Sequence, residues 1–306
     1  MSVVIRPATE RDLAACYDVW LSTEDEQLRA PGVVRPAAGT VLPLHEHELR
    51  SGTLVVAIEG IGGVGAGDEQ ILGFGATLTR SGVLYLADLF VRPSHHGRGI
   101  GRAMLHAMLD RAPTTRFTFA STDPAARSLY ASFGMRAQWD LLHLEASTAS
   151  LAVEHLDPDG IVAVPATVDD VADLDGRLTG RDRRVDLEHE RDRLGFTCFL
   201  LQRASAVVGY GVVIHPQWWV PWKPNGTRVA PVIVHDARDA PGAVAATMRA
   251  ALDLGATDIT TFVPGPHPAL PMLESAGFVT TGEDAYMAST PNLIPERLYL
   301  PPVDVP

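Results

Sequence analysis

Apolar positions along this chain come in short bursts whose spacing switches between two and three-to-four, as strands and helices alternate. Residues 3–6 alternate as a short strand, and Thr9 is placed to cap a helix whose apolar stripe includes Leu13, Cys16, Tyr17 and Trp20. Residues 24–50 carry no sustained period apart from a short helix near residues 45–50. Three β-rich runs follow, over residues 54–58, 71–79 and 83–91. The pattern then predicts a helix over 99–111, a strand over 116–121, a helix over 124–133 and a strand over 136–144. Pro93 and Pro113 punctuate the ends of these elements. The result is mixed α and β around one sheet.

The same order returns in the second half. Pro7-Ala8-Thr9 followed by Asp12-Leu13-Ala14 recurs as Pro165-Ala166-Thr167 followed by Asp170-Val171-Ala172. Further on, Ala126, Gly134 and Met135 find counterparts in Ala269, Gly277 and Phe278 at a constant offset. Strands near Ile161, Thr197, Val207, Val229 and Ile259, with helices after Thr167, Ala240 and Pro268, complete the second copy. A duplicated domain accounts for the ordered matches. Residues 155–160 have turn composition and form the natural linker. The expected organisation is a domain over 1–147, a second over 156–289, and an extended tail over 290–306.

Composition narrows the partners. The 306 residues suit two domains of roughly 150 residues each. With 46% hydrophobic and 20% charged residues, two sizeable cores can be buried. A formal net charge of -12 argues against a nucleic-acid partner, which needs clustered Lys and Arg. Cys16 and Cys198 sit in apolar-periodic segments and make neither a disulfide framework nor a zinc pattern. Residues 1–7 lack the basic start and apolar run of a signal peptide, and no stretch of about 18 apolar residues would span a bilayer. A cytoplasmic protein is expected.

Two glycine clusters invite a ligand. Gly60-Ile-Gly-Gly-Val-Gly65 fits a dinucleotide fingerprint literally, but the residues after it read as a strand where that fingerprint needs a helix. A hairpin loop is the reading kept. The second cluster, His96-Gly97-Arg98-Gly99-Ile100-Gly101-Arg102, joins a buried strand to a helix of good formers. Glycines let successive N–H groups point into one space, and the helix start adds its own donors and positive dipole end. With Arg98 and Arg102 as counter-charges, this is a diphosphate cradle.

The segment resembles motif A of the GNAT acetyltransferase superfamily, Arg/Gln-x-x-Gly-x-Gly/Ala, with His96, Gly99 and Gly101 on its marked positions. His96 stands where the family carries Arg or Gln. The run Asp123-Pro-Ala-Ala126-Arg-Ser128-Leu129-Tyr130, continuing to Gly134-Met135, resembles the family's Asn-x-x-Ala-x-x-Leu-Tyr-x-x-x-Gly-Phe signature, with Asp123 for Asn and Met135 for Phe. The likeness covers roughly residues 3–145 and implies an α/β (α+β) protein. It would hold two tandem GNAT-like domains, each a mixed, mostly antiparallel twisted sheet flanked by helices. It also implies acetyl-CoA as co-substrate, contacted by Leu89, Phe90, Val91, His96, Gly97, Arg98, Gly99, Ile100, Gly101, Arg102, Asp123 and Ser128. No metal is implied.

Acyl transfer needs a neutral amine against the thioester, a donor for the oxyanion and a proton for the departing thiolate. The resemblance gives the oxyanion a backbone N–H near Val91 and the thiolate the Tyr130 hydroxyl. A phenol suits that task because it stays protonated at neutral pH yet matches a thiolate's basicity. Asp88 is the candidate base, acting through water, or a group that binds the ammonium; a structural carboxylate is the equal alternative. Alternation sets Asp88 and Phe90 on one face and Leu89 and Val91 on the other. Glu24, Asp25, Glu26, His45, Glu46, His47 and Glu48 lie where the family borders its acceptor pocket; their alternating His and Glu suggest metal binding, but the family needs no metal and a solvated helix face is the expectation.

The second copy has lost these features. His235-Asp236-Ala-Arg238-Asp239-Ala-Pro241-Gly242 lacks paired glycines and would repel a diphosphate, and Leu273 stands at the tyrosine position. It resembles the degenerate C-terminal halves of bacterial tandem acetyltransferases, with a structural task such as packing on the first domain. The aromatic loop around Trp218, Trp219 and Trp222 suits an interface, a ligand wall or interdomain packing. The leading expectation is an N-acetyltransferase acting on a small primary amine. A non-catalytic acyl-CoA sensor and a protein or peptide N-acetyltransferase are the alternatives. A mycothiol-synthase-like enzyme fits less well, because there the motif-bearing half is expected to be C-terminal.

Overall fold

A computed structural model describes residues 2–60 and 70–306. The Gly60–Gly65 pattern therefore lies largely outside the described residues, although the strands on either side of it pair antiparallel. The chain divides into two compact units. One comprises residues 1–116 with 219–222, and the other comprises 117–218 with 223–306.

In the first unit, β1 (Ser2–Pro7), β2 (Thr53–Gly60), β3 (Ile71–Arg80) and β4 (Val83–Val91) form an antiparallel ladder in that order. Helices α1 (Leu13–Leu21), α2 (Asp25–Leu28) and α3 (Pro43–Ser51) come between β1 and β2, and α4 (Ile100–Leu109) follows β4. Leu13, Cys16 and Val19 of α1 pack with Val56, Ile58, Phe74 and Ala76 of the sheet into one buried cluster. Against the other face, α4 crosses β3 at a glycine pair. A Cβ on Gly73 would lie 2.6 Å from the backbone oxygen of Phe90, and one on Gly75 would lie 2.7 Å from Met108 Cε of α4. Trp219–Trp222 belongs to this unit: Trp222 stacks on Trp20 at 5.4 Å, which stacks on Tyr17 at 5.6 Å.

The second unit begins one residue into β5 (Arg116–Ala120) and holds α5 (Pro124–Ser132) and β6 (Arg136–Ser147). Then come β7 (Ile161–Ala166), α6 (Val168–Thr179), α7 (Arg184–Leu194), β8 (Phe196–Arg203), β9 (Ala206–Ile214), β10 (Thr227–Val234), α8 (Ala240–Asp253), β11 (Asp258–Pro264), α9 (Leu270–Ser275), β12 (Val279–Ala288) and β13 (Tyr299–Leu300). Its strands run β5-β12-β6-β11-β10-β9-β8-β7, with β13 on β10. Only β10 and β11 are parallel, joined across α8. The final strands of the two repeats are exchanged: β12 lies between β5 and β6, and β6 pairs with β11. Tyr286 of β12 stacks at 4.3 Å on Trp139 of β6 in that exchange.

Matching details bear out the internal likeness. The N–H and hydroxyl of Thr9 donate to Asp12 Oδ2, and those of Thr167 donate to Asp170 Oδ2. Met135 N–H donates to Tyr130 O at 3.2 Å, and Phe278 N–H to Leu273 O at 3.0 Å. A Cβ on Gly211 of β9 would strike Thr247 of α8, as one on Gly75 would strike α4. That second glycine pair, Gly209 and Gly211 against Gly73 and Gly75, was a repeat signal the pattern reading missed.

The structure departs from expectation in three places. Residues 24–50 hold two helices, α2 and α3, with Pro43 opening the longer one. Helix α7 was not anticipated, because its polar residues include the buried Asp186 and Glu190, the latter paired with Arg228 at 2.9 Å. Ala87 is an extra residue in β4, since Ala76 pairs with Asp88 while Thr77 pairs with Leu86. Among the described residues, no helix is long and apolar enough to cross a membrane.

The tail is fixed inside the second unit. Tyr299 and Leu300 pair with Ile233 and Val232 of β10, beyond the point where β10 leaves β11 at Arg228. Arg183 donates to Val305 O at 2.9 Å and Arg181 to Pro306 O at 2.7 Å, while Arg228 pairs with Asp304. Behind them Arg183 makes two hydrogen bonds to Asp175, which also accepts from the Tyr210 hydroxyl at 2.6 Å.

Candidate active site

The turn after β4 holds two glycines in left-handed backbone. Gly97 and Gly99 take φ of +75° and +77°, backbone that side chains with a Cβ rarely adopt. Nothing lies within 4 Å of where a Cβ would stand on either, so conformation and not crowding requires glycine. Backbone hydrogen bonds closing the turn end with His96 N–H on Pro93 O, and resume with Ala103 N–H on Gly99 O. The amides of Gly97 to Gly101 lie between them at the exposed start of α4, where a helix leaves its first donors without intrahelical partners. Arg98 and Arg102 are both exposed beside them.

His96 has a different task from the Arg or Gln of the motif. Its ring N–H donates to Val91 O at 2.8 Å and braces the turn against the end of β4. Arg92 N–H donates to Leu72 O, so the alternation of an antiparallel ladder turns the Val91 amide away from β3. Leu89, Phe90 and Val91 are half-buried.

Asp88 shares a face with Phe90, as alternation predicted. Phe90 stacks on Phe74 at 5.5 Å, and the His45 ring meets Phe74 edge-on at 4.8 Å. His45 Nε2 stands 3.4 Å from Asp88 Oδ2. The helix face expected to be solvated is the opposite: His45, His47 and Glu48 are all buried, because α3 turns this side toward the sheet. Alternating His and Glu disguised an inward stripe. Burial, followed by the charges of Asp12, Glu48 and Asp88, pushes the nearby Cys16 thiol up, so it stays protonated.

Tyr130, Asp123 and Ser128 lie on α5, in the second unit. Tyr130 is buried on the inner face of the helix, while Ser128 is exposed. Asp123 is the N-cap, accepting from Ala125 N–H at 2.9 Å, which explains how an Asp replaces the signature's Asn.

The sequence pattern of the acetyltransferase (GNAT) family matches residues 15–135. The chain is also 31% identical over 211 residues to a mycothiol acetyltransferase of Clavibacter sepedonicus, an alignment covering 63% of this chain and 68% of that protein. The chain belongs to the GNAT acetyltransferase family. A mycothiol acetyltransferase of Amycolatopsis mediterranei is 31% identical over 167 residues, which span 49% of this chain and about half, 54%, of the relative. Among solved structures, a candidate acetyltransferase from Pyrococcus horikoshii superposes with a TM-score of 0.72 at 18% identity, covering 99% of this chain and 96% of that one. A tandem GNAT protein from the clavulanic acid biosynthesis pathway superposes with a TM-score of 0.59 at 16% identity, covering 95% and 100%. These likenesses establish a tandem GNAT fold, and the family is one of acetyltransferases.

Proposed function

We propose that this GNAT protein transfers an acetyl group from acetyl-CoA to a primary amine of a small molecule, using the coenzyme site of its first repeat alone. The observation that carries the reading is the turn over Gly97–Gly101, with two positive-φ glycines, exposed amides and flanking arginines at a helix start. Those amides and the dipole hold the diphosphate, and Arg98 and Arg102 add charge. The Val91 amide supports the oxyanion as the amine attacks the thioester carbonyl. As the C–S bond breaks, the Tyr130 hydroxyl delivers a proton to the sulfur; Asp88 takes one from the ammonium or holds its charge. Tyr130 is named from the motif it completes.

The name shared by the relatives makes an acceptor of the mycothiol kind the first to try. The second repeat, with Asp236 and Asp239 in its turn and Leu273 for the tyrosine, binds no coenzyme on this account. Thiol release from acetyl-CoA across a panel of amines tests the proposal. With an accepted amine, Tyr130→Phe should lower kcat by about 100-fold or more while coenzyme affinity holds. Coenzyme binding with no turnover on any amine would favour an acyl-CoA sensor instead.

A further inference from the structure

The buried face of α3 carries chemistry that acetyl transfer does not require. His45 and Glu48 lie three apart on that helix and therefore on one side of it. One ligand atom each from His45, Glu48 and Asp88 falls within 4.8 Å of the others. His45 and Glu48 are 0% exposed and Asp88 9%. Both ring nitrogens of His45, and Oδ2 of Asp88, are buried without a hydrogen-bond partner among the described residues. A buried imidazole that makes no hydrogen bond, set 3.4 Å from a buried carboxylate oxygen that makes none either, is stabilised when a cation joins the two.

The spacing of one pair, His45 and Asp88, bears on which cation. A charge-assisted N–H···O bond runs about 2.7–2.9 Å, and 3.4 Å between His45 Nε2 and Asp88 Oδ2 is too long for one. It matches the edge of a tetrahedron around an ion with bonds of about 2.0–2.1 Å. An organic ammonium, held by hydrogen bonds of about 2.9 Å, would spread its acceptors wider. One imidazole and two carboxylates suit a first-row dication such as zinc, with a fourth position left open. Phe74 and Tyr17 wall the cluster, and the slight exposure of Asp88 gives entry.

We propose that His45, Glu48 and Asp88 bind one transition-metal dication of the zinc kind. The site stands whether or not the acetyl-transfer reading holds, although both use Asp88. The test takes the full chain, freed of metal with a chelator, and titrates it with zinc chloride by calorimetry and cobalt chloride by visible absorption. One zinc per chain is expected, with the intense visible bands of four-coordinate cobalt. Glu48→Gln and His45→Gln should each weaken zinc by at least about tenfold, the scale at which even outer partners of a ligand act. His95→Ala, a change in the turn after β4, should not. Should either variant fail to fold, the cobalt spectrum of the unaltered chain decides. No stoichiometric zinc, unchanged affinity in both variants, or a six-coordinate cobalt spectrum would overturn the proposal. So would retention of an amine by the cluster with zinc rejected.

Discussion

The turn between β4 and α4 and its counterpart between β10 and α8 began from one pattern and now differ in every feature that matters to an anion. The first holds Gly97 and Gly99 at positive φ and leaves its amides exposed. In the second, Arg238 N–H donates to Asp236 Oδ1, Asp239 N–H donates to Asp236 O, and the chain itself occupies the approach. Pro158 O would lie 2.6 Å from a Cβ on Gly242, so the linker sits on the start of α8. Where β10 parts from β11, β13 pairs with the freed strand. One turn leaves its amides without backbone partners; the other has spent them on Asp236.

The largest effect should come from loosening the filled side. Arg183→Met removes the partner of buried Asp175 and the anchor of Val305, and should cost about 3–5 kcal/mol of unfolding free energy in thermal or denaturant melts. If the tail were mere packing, the loss would be far smaller.

A lesser effect separates the two Thr-x-x-Asp caps. Arg6 makes two hydrogen bonds of 2.9 Å to Asp12 and, outweighing burial, which raises it, and joined by the Thr9 bonds, draws its carboxyl down from 3.8 to about 2. Asp170 is drawn down only by the Thr167 bonds. A carboxyl depressed in the folded state contributes stability above its unfolded value, lost as pH falls through the folded one. Asp12→Asn should therefore cost up to about 2 kcal/mol at neutral pH and progressively less from pH 3.8 down toward pH 2. Asp170→Asn should cost less. Equal losses would show that Arg6 adds nothing to the Asp12 cap.

How much was legible follows from where each signal sits. The ends of β4, the glycine turn and the start of α5 were readable because glycine, proline and cap chemistry act locally. The Asp88 face was readable too, since alternation survives beyond the bulge at Ala87. The stripe of His45 and Glu48 was not: a polar pattern states periodicity but not which side meets the sheet. Helix α7 hid for the same reason, with Asp186 and Glu190 buried among arginines. The exchange of β6 and β12 depends on pairings between distant strands, which no local pattern records.

The claim that one turn is open and its twin closed is tested most directly by calorimetric titration of coenzyme A. The account predicts one coenzyme per chain. Gly99→Ala, strained by about 1–2 kcal/mol at its positive φ, should weaken binding by about tenfold. Gly242→Ala, pressed against Pro158, should lower thermal stability and leave the coenzyme affinity of the folded chain intact. Two coenzymes per chain, none at all, or affinity lost at Gly242 and kept at Gly99 would contradict it.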